Sequence, residues 1–245
     1  MIDSNPEQAF VEHMLRYTVR LVRNPTTLEA ESGIGSGVLL DRPAGLVLVT
    51  AGHNFDRPGL WTLETRIEVA EQTLMLSIPN PQRLAQVDLE TGESSDLDVA
   101  WARLNLEVLR GAPELKGKTL ALDVYRGPID GTPSADHYYG FASYSQAELH
   151  SNLNRLVRDA AWELGMTYEG TTETGLHEFR LSGPHKGHKY YEGASGAPIA
   201  DETGQIVSIL VSGVKENDVL YGFPIHRVAE LIDATAATWS NSEER

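Results

Sequence analysis

An all-β sandwich or barrel is the fold class this sequence predicts, and three observations point to it. From residue 34 onward the chain breaks into short apolar runs separated by Gly, Pro, Asn and Asp, the texture of many short strands joined by tight turns. Apolar residues at convincing helical spacing are confined to the two ends of the chain. The length, 245 residues, is one that β-barrel enzymes of roughly 200–250 residues fill as a single fold.

The elements follow in order. Phe10, Val11, Met14, Leu15, Val19 and Val22 recur at helical spacings, which predicts a helix over 6–23 with Pro6 in its first turn and Asn5 as its cap. The later part, 17–22, also alternates and fits the opening of a strand. Strands are expected at 35–40, 46–50, 66–70, 73–78, 98–104, 119–124, 137–142, 155–163, 177–181, 197–201, 205–213 and 219–223. A last helix is expected over 224–239, begun by Pro224, with Ile225, Val228, Leu231, Ile232 and Ala236 as its apolar stripe. The Gly/Pro/Asp-rich segment 126–133 is the best internal boundary, dividing the chain into two β-rich halves.

Composition narrows the chemistry. Twenty Lys and Arg against 35 Asp and Glu give a net charge of −15. That balance argues against nucleic acid or an anionic membrane surface as partner, since binding either requires cationic side chains. The absence of cysteine excludes disulfides, thiolate nucleophiles and Cys-ligated metal sites. No apolar stretch approaches the roughly 20 residues of a membrane helix. The first ten residues are acidic and polar where a signal peptide is basic and then apolar. A cytoplasmic protein without a cofactor is the expectation.

Three local patterns carry chemistry. In Leu46-Val47-Leu48-Val49-Thr50-Ala51-Gly52-His53 an apolar strand runs into small residues that let a neighbouring backbone or a substrate approach the imidazole. In Asp96-Leu97-Asp98-Val99-Ala100 a carboxylate opens an otherwise apolar strand and must reach solvent or a buried donor such as a histidine N–H. In Gly193-Ala194-Ser195-Gly196-Ala197-Pro198 glycines flank a serine and let backbone N–H groups converge beside its hydroxyl. Each alone has an ordinary reading: a solvent-facing histidine, an Asp in a turn, a Gly/Ser hairpin.

Together, in the order His53, Asp98, Ser195, they are far more specific. The chain resembles the trypsin/chymotrypsin-like serine peptidases, in particular bacterial trypsin-like and HtrA-type peptidase domains. The matching residues are Gly35-Ser36-Gly37-Val38-Leu39-Leu40, Thr50-Ala51-Gly52-His53, Asp98-Val99-Ala100, Gly193 to Pro198, and Tyr221-Gly222-Phe223-Pro224-Ile225 with Arg227-Val228. The resemblance spans about residues 30–235 and implies a double six-stranded β-barrel. Residues 1–29 would be a helical extension, 30–126 the first barrel with His53 and Asp98, 127–223 the second with Ser195, and 224–245 a helix and tail.

The resemblance also implies roles and partners. Ser195 would be the nucleophile, His53 the general base and Asp98 its orienting carboxylate, acting on a protein or peptide substrate without metal or cofactor. The N–H groups of Gly193 and Ser195 would form the oxyanion hole. Lys189 would lie near the base of the primary specificity pocket, with Ser212 and Gly213 on one wall. A cation there favours an acidic P1 side chain; alternatively Lys189 points to solvent and Ser212 shapes a small pocket.

Departures bear on regulation. Ala194 stands where digestive proteases carry the Asp that pairs with a freshly cut N-terminus, so activation by that route is not expected. No PDZ domain follows residue 239, which argues against an HtrA-style degradation machine. The segment 6–23 would either dock an associated sensor or regulator, or simply cover an open barrel end. A protease-fold scaffold with an unaligned triad is the competing reading. A third is a metal module on His185 and His188, although His185-Lys186-Gly187-His188-Lys189 reads first as a polar surface loop.

Overall fold

The computed structural model describes residues 5–24, 33–43, 45–56, 58–69, 72–87, 91–105, 123–150 and 155–243. Helix α1 (Pro6–Tyr17) starts where expected, with the Asn5 side chain accepting the Glu7 N–H at 3.2 Å. It ends earlier than helical spacing alone suggests. Thr18-Val19 begins a β-branched, alternating stretch that forms strand β1 (Thr18–Asn24). The Thr18 hydroxyl caps the Met14 carbonyl at 3.0 Å. Carbonyls at the end of the helix are taken by the Arg66 guanidinium, which bonds Leu15 and Arg16.

Strands β2 (Gly33–Arg42), β3 (Gly45–Ala51), β4 (Leu60–Val69), β5 (Gln72–Ser77), β6 (Gln82–Val87) and β7 (Ser94–Arg103) join β1 in one seven-stranded sheet, ordered β5-β4-β1-β2-β3-β7-β6. The first half therefore has one strand more than a six-stranded unit, because β1 inserts between β2 and β4. Strands β8 (Tyr138–His150), β9 (Arg155–Thr171), β10 (His177–Arg180), β11 (Pro198–Asp201), β12 (Ile206–Val214) and β13 (Val219–Pro224) close into a six-stranded barrel. Helix α2 (Ile225–Glu243) follows. The strand expected at 119–124 lies partly outside the described residues; Tyr125 bridges Leu40 just beyond it.

Core packing explains why the central strands read as unbroken apolar runs. Val38, Leu40, Val47, Val49 and Ala51 face a central cluster with Ile206, Ile209 and Val211 of the barrel and with Met14, Val228 and Ile232 of the two helices. Their alternates Leu39 and Leu48 face the interior of the first unit, and Val207 and Leu210 that of the second. A strand buried on both faces has no polar alternation to show. Helix α1 lies on β8 and β11 while β1 belongs to the other sheet, so the N-terminal segment spans both halves. It covers the barrel with Phe10, Val11 and Met14 in the shared core.

Candidate active site

His53 sits in a short 3-10 turn, Gly52–Phe55, at the end of β3. The small residues before it serve a close approach. A Cβ on Gly52 would lie 2.9 Å from the Asp98 carbonyl carbon and 3.0 Å from the Val99 nitrogen. The β7 backbone can thus pass directly against the turn that carries the imidazole.

Asp98 belongs to β7 but has a left-handed φ of 52°, a conformation that Asp tolerates better than most residues. The Asp96 side chain holds it there by accepting the Asp98 N–H at 2.9 Å. The Asp98 carboxylate accepts the His53 backbone N–H at 2.8 Å and approaches His53 Nδ1 at 2.9 Å and 3.1 Å. A carboxylate only accepts, so Nδ1 carries the proton and Nε2 presents its lone pair. This hydrogen bond raises the imidazole pKa above its usual 6.5, against burial and the charge of Arg83. Arg83 of β6 bridges the carboxylates of Asp56 and Asp96. Asp56 closes the His53 turn, its N–H meeting the His53 carbonyl at 3.2 Å.

The serine loop has a selective pattern of backbone bonds. The N–H groups of Ala194, Gly196 and Ala197 go to Tyr191, Leu210 and Ala194 carbonyls at 2.9, 2.7 and 2.8 Å. Those of Gly193 and Ser195 have no partner among the described residues. Two free donors beside one hydroxyl are what a developing oxyanion needs. The loop is latched to the first sheet by buried bonds. Ser36 gives its N–H to the Ser195 carbonyl at 2.9 Å and its hydroxyl to the Gly193 carbonyl at 2.6 Å. The Asn54 amide donates to Thr50 Oγ1 at 2.8 Å and to the Ser195 carbonyl at 3.1 Å. Contact is close enough that a Cβ on Gly196 (φ 91°) would stand 2.0 Å from the Ser36 carbonyl. That steric demand is a physical reason for the second glycine of Gly-x-Ser-Gly.

A cleft of about 470 Å³ brings together His53, Ser195, Gly193, Lys189, Ser212 and Gly213. Asp98 stands behind His53, outside the lining. Among the described residues no hydrogen bond reaches the Ser195 hydroxyl. Lys189 and Ser212 line the cleft but are exposed. His185 departs from the polar surface loop expected of 185–189: only 8% exposed, it packs its ring on Tyr191 with centroids 4.5 Å apart. Among the described residues, no group of three His, Asp or Glu side chains could hold a metal ion.

Sequence reasoning missed Asn54 and Arg83 as parts of the site because they act through partners distant in the chain, and it did not place His185 in the cleft. Only His185, inside a segment already singled out, had a signal of its own.

The fold is chymotrypsin-like. A solved structure described as the serine endoprotease from Yersinia pestis superposes with a TM-score of 0.56 at 11% identity, covering 97% of this chain and 68% of that one. No protein-family model matches the sequence, and no curated protein matches it significantly. No helix among the described residues is long and apolar enough to cross a membrane.

Proposed function

We propose that this chain is a serine endopeptidase that hydrolyses peptide bonds through an acyl-enzyme. The observation that carries the reading is the Asp98 carboxylate, which takes both the backbone N–H of His53 at 2.8 Å and its Nδ1–H at 2.9 Å, and so turns Nε2 outward from the ring edge. In the reaction Ser195 Oγ forms a bond to the scissile carbonyl carbon while His53 Nε2 takes the hydroxyl proton. The carbonyl electron pair moves onto oxygen, which the Gly193 and Ser195 N–H groups receive. Removing one such donor costs about 3–4 kcal/mol in comparable enzymes. Collapse breaks the C–N bond, and the amine leaves with the proton from His53. Water then repeats the sequence on the ester and frees the acid.

The second reading, a protease-fold scaffold with an unaligned triad, draws on one observation: no described residue hydrogen-bonds the Ser195 hydroxyl. Substrate-free sites often tighten this contact only when occupied. Labelling with a fluorophosphonate separates the two readings. The endopeptidase should label at Ser195 and lose the label in Ser195→Ala; folded protein that stays unlabelled refutes it. The cysteine-free composition fits a reducing compartment such as the cytoplasm.

A further inference from the structure

The cleft beside Ser195 has a floor and a rim of different chemistry. On the floor His185 is 8% exposed. Its backbone N–H goes to the Asp218 carboxylate at 2.7 Å, and its Nδ1 meets the Gly187 N–H at 3.0 Å. A backbone N–H only donates, so Nδ1 is the acceptor and Nε2 carries the proton. That Nε2 lies 3.4 Å from where a Cβ on Gly213 would be. Gly213 and His185 both line the cleft, and Nε2 has no hydrogen-bond partner among the described residues. The imidazole is held from behind while its Nε2–H opens on the cleft, a fixed donor for an acceptor on a bound ligand.

The surrounding charges favour an anionic acceptor. Lys189 and His188 line the same cleft, and Lys189 has no ion-pair partner among the described residues. Nearby carboxylates are turned to other work. Glu163 lies behind the wall, held by Lys186 at 2.9 Å and the Tyr191 hydroxyl at 2.7 Å. Asp218 faces the backbone of His185. Only Glu192, exposed at the rim, brings a carboxylate to the lining.

We propose that the primary specificity pocket takes a carboxylate-bearing P1 side chain, Glu or Asp, with His185 Nε2–H as its donor on the floor and Lys189 as the compensating charge at the rim. This rests on the reading of the cleft as an endopeptidase site. The two groups divide the work: the neutral donor selects a polar end over an apolar one, and the cation selects acid over amide.

The test has one arm that needs catalysis and one that does not. In the first, peptides differing only at P1 (Glu, Gln, Leu, Arg) are compared by kcat/KM. In the second, acetylated tetrapeptides ending in the same residues are titrated into the Ser195→Ala protein. One charge-assisted hydrogen bond predicts a preference of Glu over Leu of about 10- to 100-fold. Lys189→Met should bring the Glu:Gln ratio towards one, and His185→Phe should collapse Glu:Leu. Lys189 is exposed, so Lys189→Met decides the matter even where His185→Phe fails to fold. A preference for Arg, Leu or Gln overturns the proposal, as does a Glu preference unmoved by either variant. If no peptide is cleaved and no fluorophosphonate label forms, the endopeptidase reading fails. The titrations then decide the pocket alone: tighter binding of the Glu-ended peptide supports it, and equal or weaker binding overturns it.

Discussion

His177 should make the fold lose stability as pH falls, and the size of that loss follows from where it lies. On β10 it is 3% exposed, packed between Tyr168 and Phe179 with the His226 ring at 6.4 Å. Its Nδ1 meets the Ser208 hydroxyl at 2.7 Å. Burial, reinforced by His226, lowers its pKa from 6.5 to about 4. The unfolded chain therefore binds a proton near pH 6.5 that the folded chain refuses until about pH 4. Stability contributed by the neutral ring is complete above 6.5 and is lost between those values. At pH 5 the linkage relation gives a loss of ~2 kcal/mol, and the ceiling below pH 4 is ~3 kcal/mol.

The perturbation is His177→Asn, whose amide stands near the position of Nδ1 and still meets Ser208 but does not titrate. Urea unfolding at pH 8, 6.5 and 5, on the Ser195→Ala background to prevent self-cleavage, gives the free energy of each form. His53 shifts oppositely: its raised pKa adds stability that is present below 6.5 and lost as pH rises through the folded value. That contribution is screened by solvent, the ring being 40% exposed, and it is common to both proteins. The difference between them isolates His177. Between pH 8 and 5 the parent should lose ~2 kcal/mol more than His177→Asn. Equal losses in the two proteins would falsify the buried, neutral assignment.

Other outcomes follow from the same geometry. Activity needs neutral His53, so the acid limb of kcat/KM should have its midpoint above 6.5, where the Asp98 hydrogen bond sets it; Asp98→Asn should lower the rate by about 10⁴ on the precedent of similar triads, and a loss under tenfold counts against the triad. Arg83→Met removes a charge that lowers the His53 pKa and releases Asp56 and Asp96, so the acid limb should move upward and kcat fall by about tenfold; an unmoved limb refutes the positioning role. Ser36→Ala strands the buried Gly193 carbonyl, costing about 1–3 kcal/mol in urea unfolding, with a drop in kcat larger than any change in KM. Ala194 is buried and carries no carboxylate to receive a cut N-terminus, so the 245-residue chain should label at Ser195 without trimming; labelling that appears only after N-terminal proteolysis refutes this.

The division between what was legible and what was not follows from how far each feature's cause extends along the chain. The run from Leu46 to Thr50 shows itself because both strand faces are buried, and Gly52 and Gly196 because close approach to another backbone tolerates no side chain there. The end of helix α1 is ambiguous in the sequence because Val19 and Val22 satisfy both a helical spacing and a strand's alternation; pairing with β2 and β4 decides for the strand. Asp98 was legible as a carboxylate leading an apolar run, but the strand itself begins earlier, at Ser94, and the direction of the carboxylate had no signal. Sequence gives a strand only two faces, while the left-handed φ of 52° turns the backbone out of that alternation, and Asp96 holds the kink. The bridge from Arg83 to Asp56 and Asp96, and the bond from Asn54 to the Ser195 carbonyl, have no local signature, since any surface Arg or turn Asn looks the same in sequence. The residues that perform the proposed chemistry are therefore recognisable by type and order. Those that aim them become visible only when segments separated by 13 to 159 residues are brought into hydrogen-bond range. The Arg83 and Ser36 variants are for that reason the sharpest probes of the site: they keep the His53, Asp98 and Ser195 side chains and change the groups that hold them.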